Sequence, residues 1–385
     1  MKILITTDLY TTDTNGVVTS VKNLQDELAG RGHDVRVLTL SDTRHSKKDD
    51  CIYYIRSMPI GVVYPNVRMP LSYRHQLIKE LIEWKPDVIH SQCEFFTYQF
   101  ALRISRKTGA PIIHTYHTLY EQYVRYVIPS RRLGKTMVKL LSRKRLKKPE
   151  VVVAPTHKVE DALQKYGLHN EISVVPTGIN LDQHHKRITP EERQKKRRAL
   201  GIEDNHSVLI NLGRLGTEKN LEELMELFAK ASEENNLLRF LIVGDGPAKE
   251  TLEKMAEELG VSDKVIFTGM VEPTEVQEYY QLGDIFVSAS TSETQGLTYI
   301  EAAANGLPLL CRHDKCLEDV IMPGENGFEY EDEDEFFEII QSIMDDPDWI
   351  DRAGKRSEEI AASFDKQSFG DAIEKIYQSV VGMVE

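Results

Sequence analysis

Cysteine is scarce: Cys51, Cys93, Cys311 and Cys316 are the only four in 385 residues and share no zinc-ligand spacing. A reduced, cytoplasmic protein is expected. No window approaches the ~18–20 continuous apolar residues that a spanning helix needs. The N-terminus carries one lysine and a short β-rich run reaching Asp8, without the longer apolar region and small-residue cleavage site of a signal peptide. Basic residues are outnumbered, 48 Lys and Arg against 61 Asp and Glu, for a net charge of −13. That deficit argues against nucleic acid as a general partner. GxGxxG and Walker loops are missing, so NAD and ATP readings lack their fingerprints. No DxD-type motif is placed to hold a divalent metal, and there is no short-period repeat.

What is present is an alternation of short apolar runs with helical stretches, the pattern of α/β domains with parallel sheets. Residues 2–6, 35–40, 51–56, 88–90, 111–116 and 151–154 read as strands, with helices predicted at 17–28, 72–84 and 97–107 and a polar loop at 41–50. A similar series restarts at 207–212. Strands at 238–243, 265–268, 285–289 and 307–311 alternate with helices near 218–234, 248–259, 273–281 and 299–304. The acidic run 329–340 and the last ~40 residues read as helical. The length exceeds one ordinary core, and two tandem doubly wound units fit it, with a boundary near 178–182.

Strand, glycine-containing loop and helix start recur, an arrangement whose backbone amides and dipole accept an anion. Asn15-Gly16-Val17 is one such turn, Gly213-Arg214-Leu215-Gly216-Thr217-Glu218-Lys219 a second, and Val243-Gly244-Asp245-Gly246-Pro247 a third. Arg214 and Lys219 beside one helix start would neutralise a diphosphate; equally, they would serve as solvated cations beside a surface loop. The sharpest feature is Ser292-Glu293-Thr294-Gln295-Gly296-Leu297-Thr298-Tyr299-Ile300-Glu301. Here Glu293 would sit at the carboxyl end of a strand, the amides of Gly296, Leu297 and Thr298 would form an anion cradle, and Glu301 would face the same cleft. The bland alternative makes Glu293 a helix cap and Glu301 a favourable first-turn carboxylate.

Taken together, these motifs resemble glycosyltransferase family 4 of the GT-B architecture, in order over nearly the whole chain. Glu293 and Glu301 match the family's two glutamates separated by seven residues. Gly213-Arg214 with Lys219 matches its diphosphate-holding pair, and Pro176-Thr177-Gly178-Ile179 its inter-domain region, with Asn180 in place of the usual acidic residue. The resemblance implies two Rossmann-like domains facing across a cleft. Residues 1–179 would bind the acceptor and residues 180–363 the nucleotide sugar, with 364–385 returning to the first domain. It implies a hexose, glucose foremost, moved with retention from a UDP-sugar, with no tightly bound cofactor and no metal at the donor site. Glu293 and His117 would contact the donor sugar, Glu301 the ribose, Arg214 and Lys219 the diphosphate, and Met270 and Val271 the base through their backbones. Gly16 and Gly244 would line the donor.

Nine basic residues and no acidic one lie between positions 131 and 148: Arg131, Arg132, Lys135, Lys139, Arg143, Lys144, Arg145, Lys147 and Lys148. A helix is predicted there with Leu133, Met137, Leu140 and Leu141 along one stripe. That is the pattern of an interfacial helix meeting anionic lipid, or of core packing under a solvated face. The run from His117 through Tyr120 to Tyr123, and Gln92, Glu94 and Phe95, resemble bacterial diacylglycerol glucosyltransferases. A lipid acceptor and a peripheral position on the inner face of the membrane follow from that resemblance. A soluble or polyprenyl-linked acceptor, or a catalytically inactive sugar-nucleotide-binding regulator, are the competing readings.

Overall fold

The continuous apolar segments become strands of two parallel sheets, because a strand covered by helices on both faces needs apolar side chains on both. The structure is a computed structural model and describes residues 1–11, 16–60, 67–120, 131–168, 170–184 and 186–382. The chain divides into two compact units. One comprises Met1–Ile179 with Lys366–Glu385, the other Asn180–Asp365.

The first unit holds β1 (Lys2–Thr6), β2 (Asp34–Leu40), β3 (Lys47–Asp49), β4 (Ile52–Ile55), β5 (Ser57–Pro59), β6 (Arg68–Pro70), β7 (Val88–Ser91), β8 (Ile112–Thr115), β9 (Val151–Ala154) and β10 (Glu171–Val174). Its main sheet runs β10-β9-β8-β7-β1-β2-β4-β3, parallel throughout except for β3, and β5 pairs with β6 as a separate antiparallel hairpin. The second unit holds β11 (Ser207–Leu212), β12 (Leu238–Val243), β13 (Val265–Gly269), β14 (Ile285–Ser288), β15 (Leu309–Arg312) and β16 (Gly327–Tyr330), ordered β13-β12-β11-β14-β15-β16 and all parallel. Strand order reverses between β1 and β7 in one sheet and between β11 and β14 in the other. Those switch points are where α/β sheets open a crevice for ligands.

Some expectations need correction. The 41–50 segment is not only loop: Lys47–Asp49 pairs back on β4 as an antiparallel edge. The helix expected from residue 72 starts at Gln76, where the His75 side chain caps it by accepting from the Leu77 amide at 3.2 Å. The acidic run begins as a strand, since buried Tyr330 pairs with Arg312 on β15; only after Asp332 caps it does the helix Glu333–Asp345 begin. β5, β6 and β10 were not anticipated. They are short and lie outside the sheet interior, where the apolar pattern is weak.

The last helix, Lys366–Gly382, belongs to the first unit. Phe369, Ile373, Tyr377 and Val380 are buried in a cluster with Val21, Leu24 and Leu28 of the helix Gly16–Gly30. Arg31 fastens the contact, donating to Glu27 at 2.9 Å, Asp371 at 2.5 Å, Glu374 at 3.0 Å and the Gln367 carbonyl at 2.8 Å. Deeper in, the Tyr377 hydroxyl meets His90 Nδ1 at 2.7 Å, and His90 Nε2 meets Thr115 Oγ1 at 2.7 Å. His90 lies on the central strand β7, and burial holds its pKa well below the ordinary value, so it is neutral. Tyr377→Phe leaves that buried nitrogen unpaired and is expected to lower unfolding free energy by about 1–3 kcal/mol in urea titration.

Candidate functional site

In the second unit, the loops leaving β11, β12 and β13 are bonded backbone to backbone. The Gly213 amide donates to the Val243 carbonyl and the Gly244 amide to the Gly269 carbonyl, both at 3.0 Å; the Leu215 amide donates to the Asp245 carbonyl at the same distance. So close an approach leaves no room for side chains. Gly244 has φ +135°, and a Cβ there would collide with the Gly213 carbonyl oxygen.

At the switch point, the loop after β11 meets the loop after β14. Lys219 Nζ donates to Glu293 Oε1 at 2.5 Å, and Ser290 Oγ donates to the same oxygen at 2.9 Å. The Ser292 hydroxyl ties the loops together through the Glu218 carbonyl at 3.0 Å. Gly296, at φ +74°, then turns the chain into the helix Leu297–Ala304, and a Cβ on it would strike the Tyr299 ring. Arg214 is ion-paired with Glu218. Glu301 accepts the Tyr280 hydroxyl at 2.9 Å; desolvation pushes its carboxyl up to about 7 although that hydrogen bond opposes it. Met270, after β13, is 81% exposed.

The first unit gathers a second polar cluster at the end of β7 and β8. Asp8 accepts the Phe96 and Thr97 amides at 3.1 and 2.7 Å, at the start of the helix Phe96–Thr108. The buried Glu94 carboxylate lies 3.2 Å from His114 Nε2 and accepts the Tyr120 hydroxyl at 2.5 Å. His117 Nε2 lies 2.6 Å from Gln92 Oε1. Desolvation lowers its pKa to about 4, so the ring is neutral near pH 7. Phe95, 45% exposed, packs edge-on against Tyr120 with ring centroids 5.2 Å apart.

The basic segment forms the helix Arg131–Leu146. It is seated by Val138, Ser142 and Leu146, all buried, a row four residues apart. Met137, Leu140 and Leu141 are instead 43%, 61% and 51% exposed, so these three do not pack in the core; the side chain of Leu133 lies outside the described residues. Two of its cations turn inward. Arg145 donates to the Glu94 carbonyl and lies over the Phe95 ring at 5.6 Å, and Arg143 packs against Gly167. Lys139, Lys144, Lys147 and Lys148 are exposed. Tyr123 lies outside the described residues, and the described part of the first glycine turn begins at Gly16, which opens its helix.

Residues 14–183 match the family described as Glycosyltransferase Family 4, and residues 192–360 match Glycosyl transferases group 1. The chain is 33% identical over 385 residues to the alpha-monoglucosyldiacylglycerol synthase of Streptococcus pneumoniae, covering 99% of this chain and 86% of that protein. The chain belongs to glycosyltransferase family 4. It is also 29% identical to the alpha-monoglucosyldiacylglycerol synthase of Acholeplasma laidlawii, over 99% of this chain and 98% of the relative. The solved structure of Anabaena Alr3699/HepE in complex with UDP and glucose superposes with a TM-score of 0.75 at 17% identity, over 98% of this chain and 100% of that one. The fold is therefore GT-B, α/β with two Rossmann-like units.

In this family 4 glycosyltransferase, Lys219 and Glu293, both expected at the donor site, lie in direct contact, whereas Arg214 engages Glu218, which was not anticipated as a partner. Its position four residues from Arg214 was the available signal. Ser290, Tyr280 and Asp8 were also missed, because a hydroxyl or carboxylate that supports a neighbour carries no motif of its own. Among the described residues, no group of three or more His, Cys, Asp and Glu side chains is placed to hold a metal ion. No described helix is long and apolar enough to cross a membrane. Gly244→Ala is expected to destabilise the second unit by about 3 kcal/mol or more, read by urea unfolding, because both the conformation and the contact forbid a Cβ.

Proposed function

We propose that the protein transfers a hexose, glucose foremost, with retention from a UDP-sugar to diacylglycerol held at an anionic membrane surface. The observation that carries this reading is the Lys219–Glu293 contact at the switch point of the second sheet, in a chain similar over nearly its whole length to two glucosyldiacylglycerol synthases. Arg214 and Lys219 would hold the diphosphate, with the amides of Gly296, Leu297 and Thr298 and the glycine turn at Gly244 behind them. Binding of that diphosphate would draw Arg214 from Glu218 and Lys219 from Glu293. Glu293 would then be released to orient sugar hydroxyls. Glu301 would receive the ribose, and the backbones of Met270 and Val271 the base. His117, neutral and turned by Gln92, would reach the donor sugar from the first unit, and Gly16 would contribute its loop.

As the bond from the anomeric carbon to the diphosphate breaks, negative charge grows on the leaving group. Cations and amides fixed around it stabilise that charge, which is how such a site gains rate. The acceptor side would use Phe95, Tyr120 and Tyr123 beside Glu94. The exposed lysines of the basic helix would meet headgroup phosphates while Met137, Leu140 and Leu141 enter the interface. Of the remaining cations, Arg131, Arg132 and Lys135 would add to that attraction, and Arg143 and Arg145 would hold the helix on its unit.

Three measurements test the reading. Arg214→Ala should cut transfer from UDP-glucose to diacylglycerol by 100-fold or more (about 3 kcal/mol of leaving-group stabilisation) while leaving the melting temperature nearly unchanged. UDP affinity should weaken as pH falls from about 8 to about 6, because Glu301 titrates near 7 and only its carboxylate accepts two ribose hydroxyls. Glu301→Gln should flatten that dependence in calorimetric titration. Replacing Lys139, Lys144, Lys147 and Lys148 by Gln removes ~4 kcal/mol of surface attraction at ~1 kcal/mol each, so binding to anionic vesicles should fall by about three orders of magnitude. Equal activity on neutral and anionic vesicles would favour a soluble acceptor instead.

A further inference from the structure

Acidic residues are about one in six over the chain, 61 of 385, yet three long runs contain none, one of them residues 95–120, which holds the helix Phe96–Thr108 and β8. Residues 122–149, between Glu121 and Glu150, make 28 and include the basic helix. Residues 51–79, between Asp50 and Glu80, make 29 and include the β5–β6 hairpin. This last run has no place in the site described above. Among the described residues, twelve large apolar side chains are exposed, and five of them follow one another here: Ile60, Val67, Met69, Leu71 and Tyr73, at 37–43% exposure. The strands are joined through Gly61, Val62, Val63, Tyr64, Pro65 and Asn66, which lie outside the described residues and carry no charge.

The base of this hairpin is fixed. Arg68 Nε donates to the Ser41 carbonyl at 2.9 Å and to Ser57 Oγ at 2.7 Å, so the hairpin's own cation is used to anchor it at the end of β2. Ile60 donates its amide to the Val67 carbonyl at 3.0 Å, and Leu71 to the Arg56 carbonyl at 3.2 Å. Exposed Arg56, Arg74 and Lys79 flank it. Its foot and the basic helix rest on one support, the helix Phe96–Thr108. There Tyr73 packs on Phe100 with ring centroids 4.9 Å apart and its carbonyl accepts Arg103 at 3.0 Å. The Tyr98 hydroxyl of the same helix donates to the Arg145 carbonyl at 2.8 Å.

An apolar face margined by cations, on a segment without a carboxylate of its own and with exposed Asp42 only beside its anchored base, matches the section of an anionic bilayer from headgroup to acyl chain. We propose that the β5–β6 hairpin is a second lipid-contacting element, seating Ile60, Val67, Met69 and Leu71 among acyl chains while the basic helix holds the headgroups. The proposal rests on the membrane-surface reading above and divides its labour. The helix supplies attraction that salt screens, and the hairpin supplies apolar burial that salt leaves intact.

Met69→Trp in the full chain, mixed with anionic vesicles whose acyl chains are brominated, tests this directly. Tryptophan emission above that of the parent should shift blue and be quenched. In a second variant, Val67→Ser with Met69→Ser and Leu71→Ser, vesicle binding that persists at about 1 M salt should fall at least tenfold. UDP binding and melting temperature should hold, since none of the three side chains is in the core. A Met69→Trp protein that floats with vesicles but is not quenched overturns the hairpin's role and leaves the membrane reading standing. A parent that fails to bind vesicles of either charge overturns both. A blue shift that needs no lipid and grows with protein concentration, with dimers in sedimentation, assigns the face to a second copy of the chain and overturns the proposal.

Discussion

Two backbone hydrogen bonds, from Gly213 to Val243 and from Gly244 to Gly269, hold the ends of β11, β12 and β13 together at the carboxyl edge of the second sheet. A Cβ on Gly244 would strike the Gly213 carbonyl oxygen, and Gly213 takes φ +150°, which side-chain-bearing residues rarely adopt. With the loops drawn together, residues 213–220 are brought to residues 289–296 across the strand reversal, and Lys219 finds Glu293. The charged groups of the site thus depend on an uncharged feature. Side-chain cations can be exchanged at some loss, whereas the loop crossing has no substitute in a chain of L-residues.

Much of the fold was legible because parallel strands are buried on both faces and read as unbroken apolar runs. β11 and β12 were located to the residue for that reason. Where burial is one-sided, the pattern thins: Glu171–Val174 at a sheet edge mixes a carboxylate and a serine with two aliphatics, and Ser57–Pro59 pairs outside the main sheet. The acidic stretch from Glu329 shows the opposite failure. Its charges suggested a helix, but the burial of Tyr330 against β15 decided its first residues. The groups of the site followed the same rule. Residues carried by a motif could be named from the sequence, and those that support them from neighbouring elements, such as Tyr280 at the end of the helix Val276–Tyr280 bonded to Glu301, could not.

The basic helix shows how composition can mislead about which side chains do what. Nine cations looked equivalent in sequence, yet among the described side chains Arg143 and Arg145 serve the interior of the first unit while Lys139, Lys144, Lys147 and Lys148 face outward. The split is chemical. A guanidinium can satisfy a carbonyl and lie over an aromatic ring at once, and it resists deprotonation in partly buried surroundings. Lysine, strongly hydrated and flexible, is left to the surface. The apolar stripe divides likewise, with Val138 and Leu146 seating the helix and Leu140 and Leu141 left uncovered.

The return of the helix Lys366–Gly382 to the first unit has a consequence for how the molecule is made. Ile3, Ile5, Val21, Leu24 and Val37 share a cluster with Phe369, Ile373 and Tyr377, which are translated only after the whole second unit. At ~5–20 residues per second, the 186 residues of the second unit, Asn180–Asp365, take about 10–40 s to synthesise. For that interval the emerging first unit has an apolar groove over its central strands with nothing of its own to fill it, while the second unit can close as soon as its own sequence is complete.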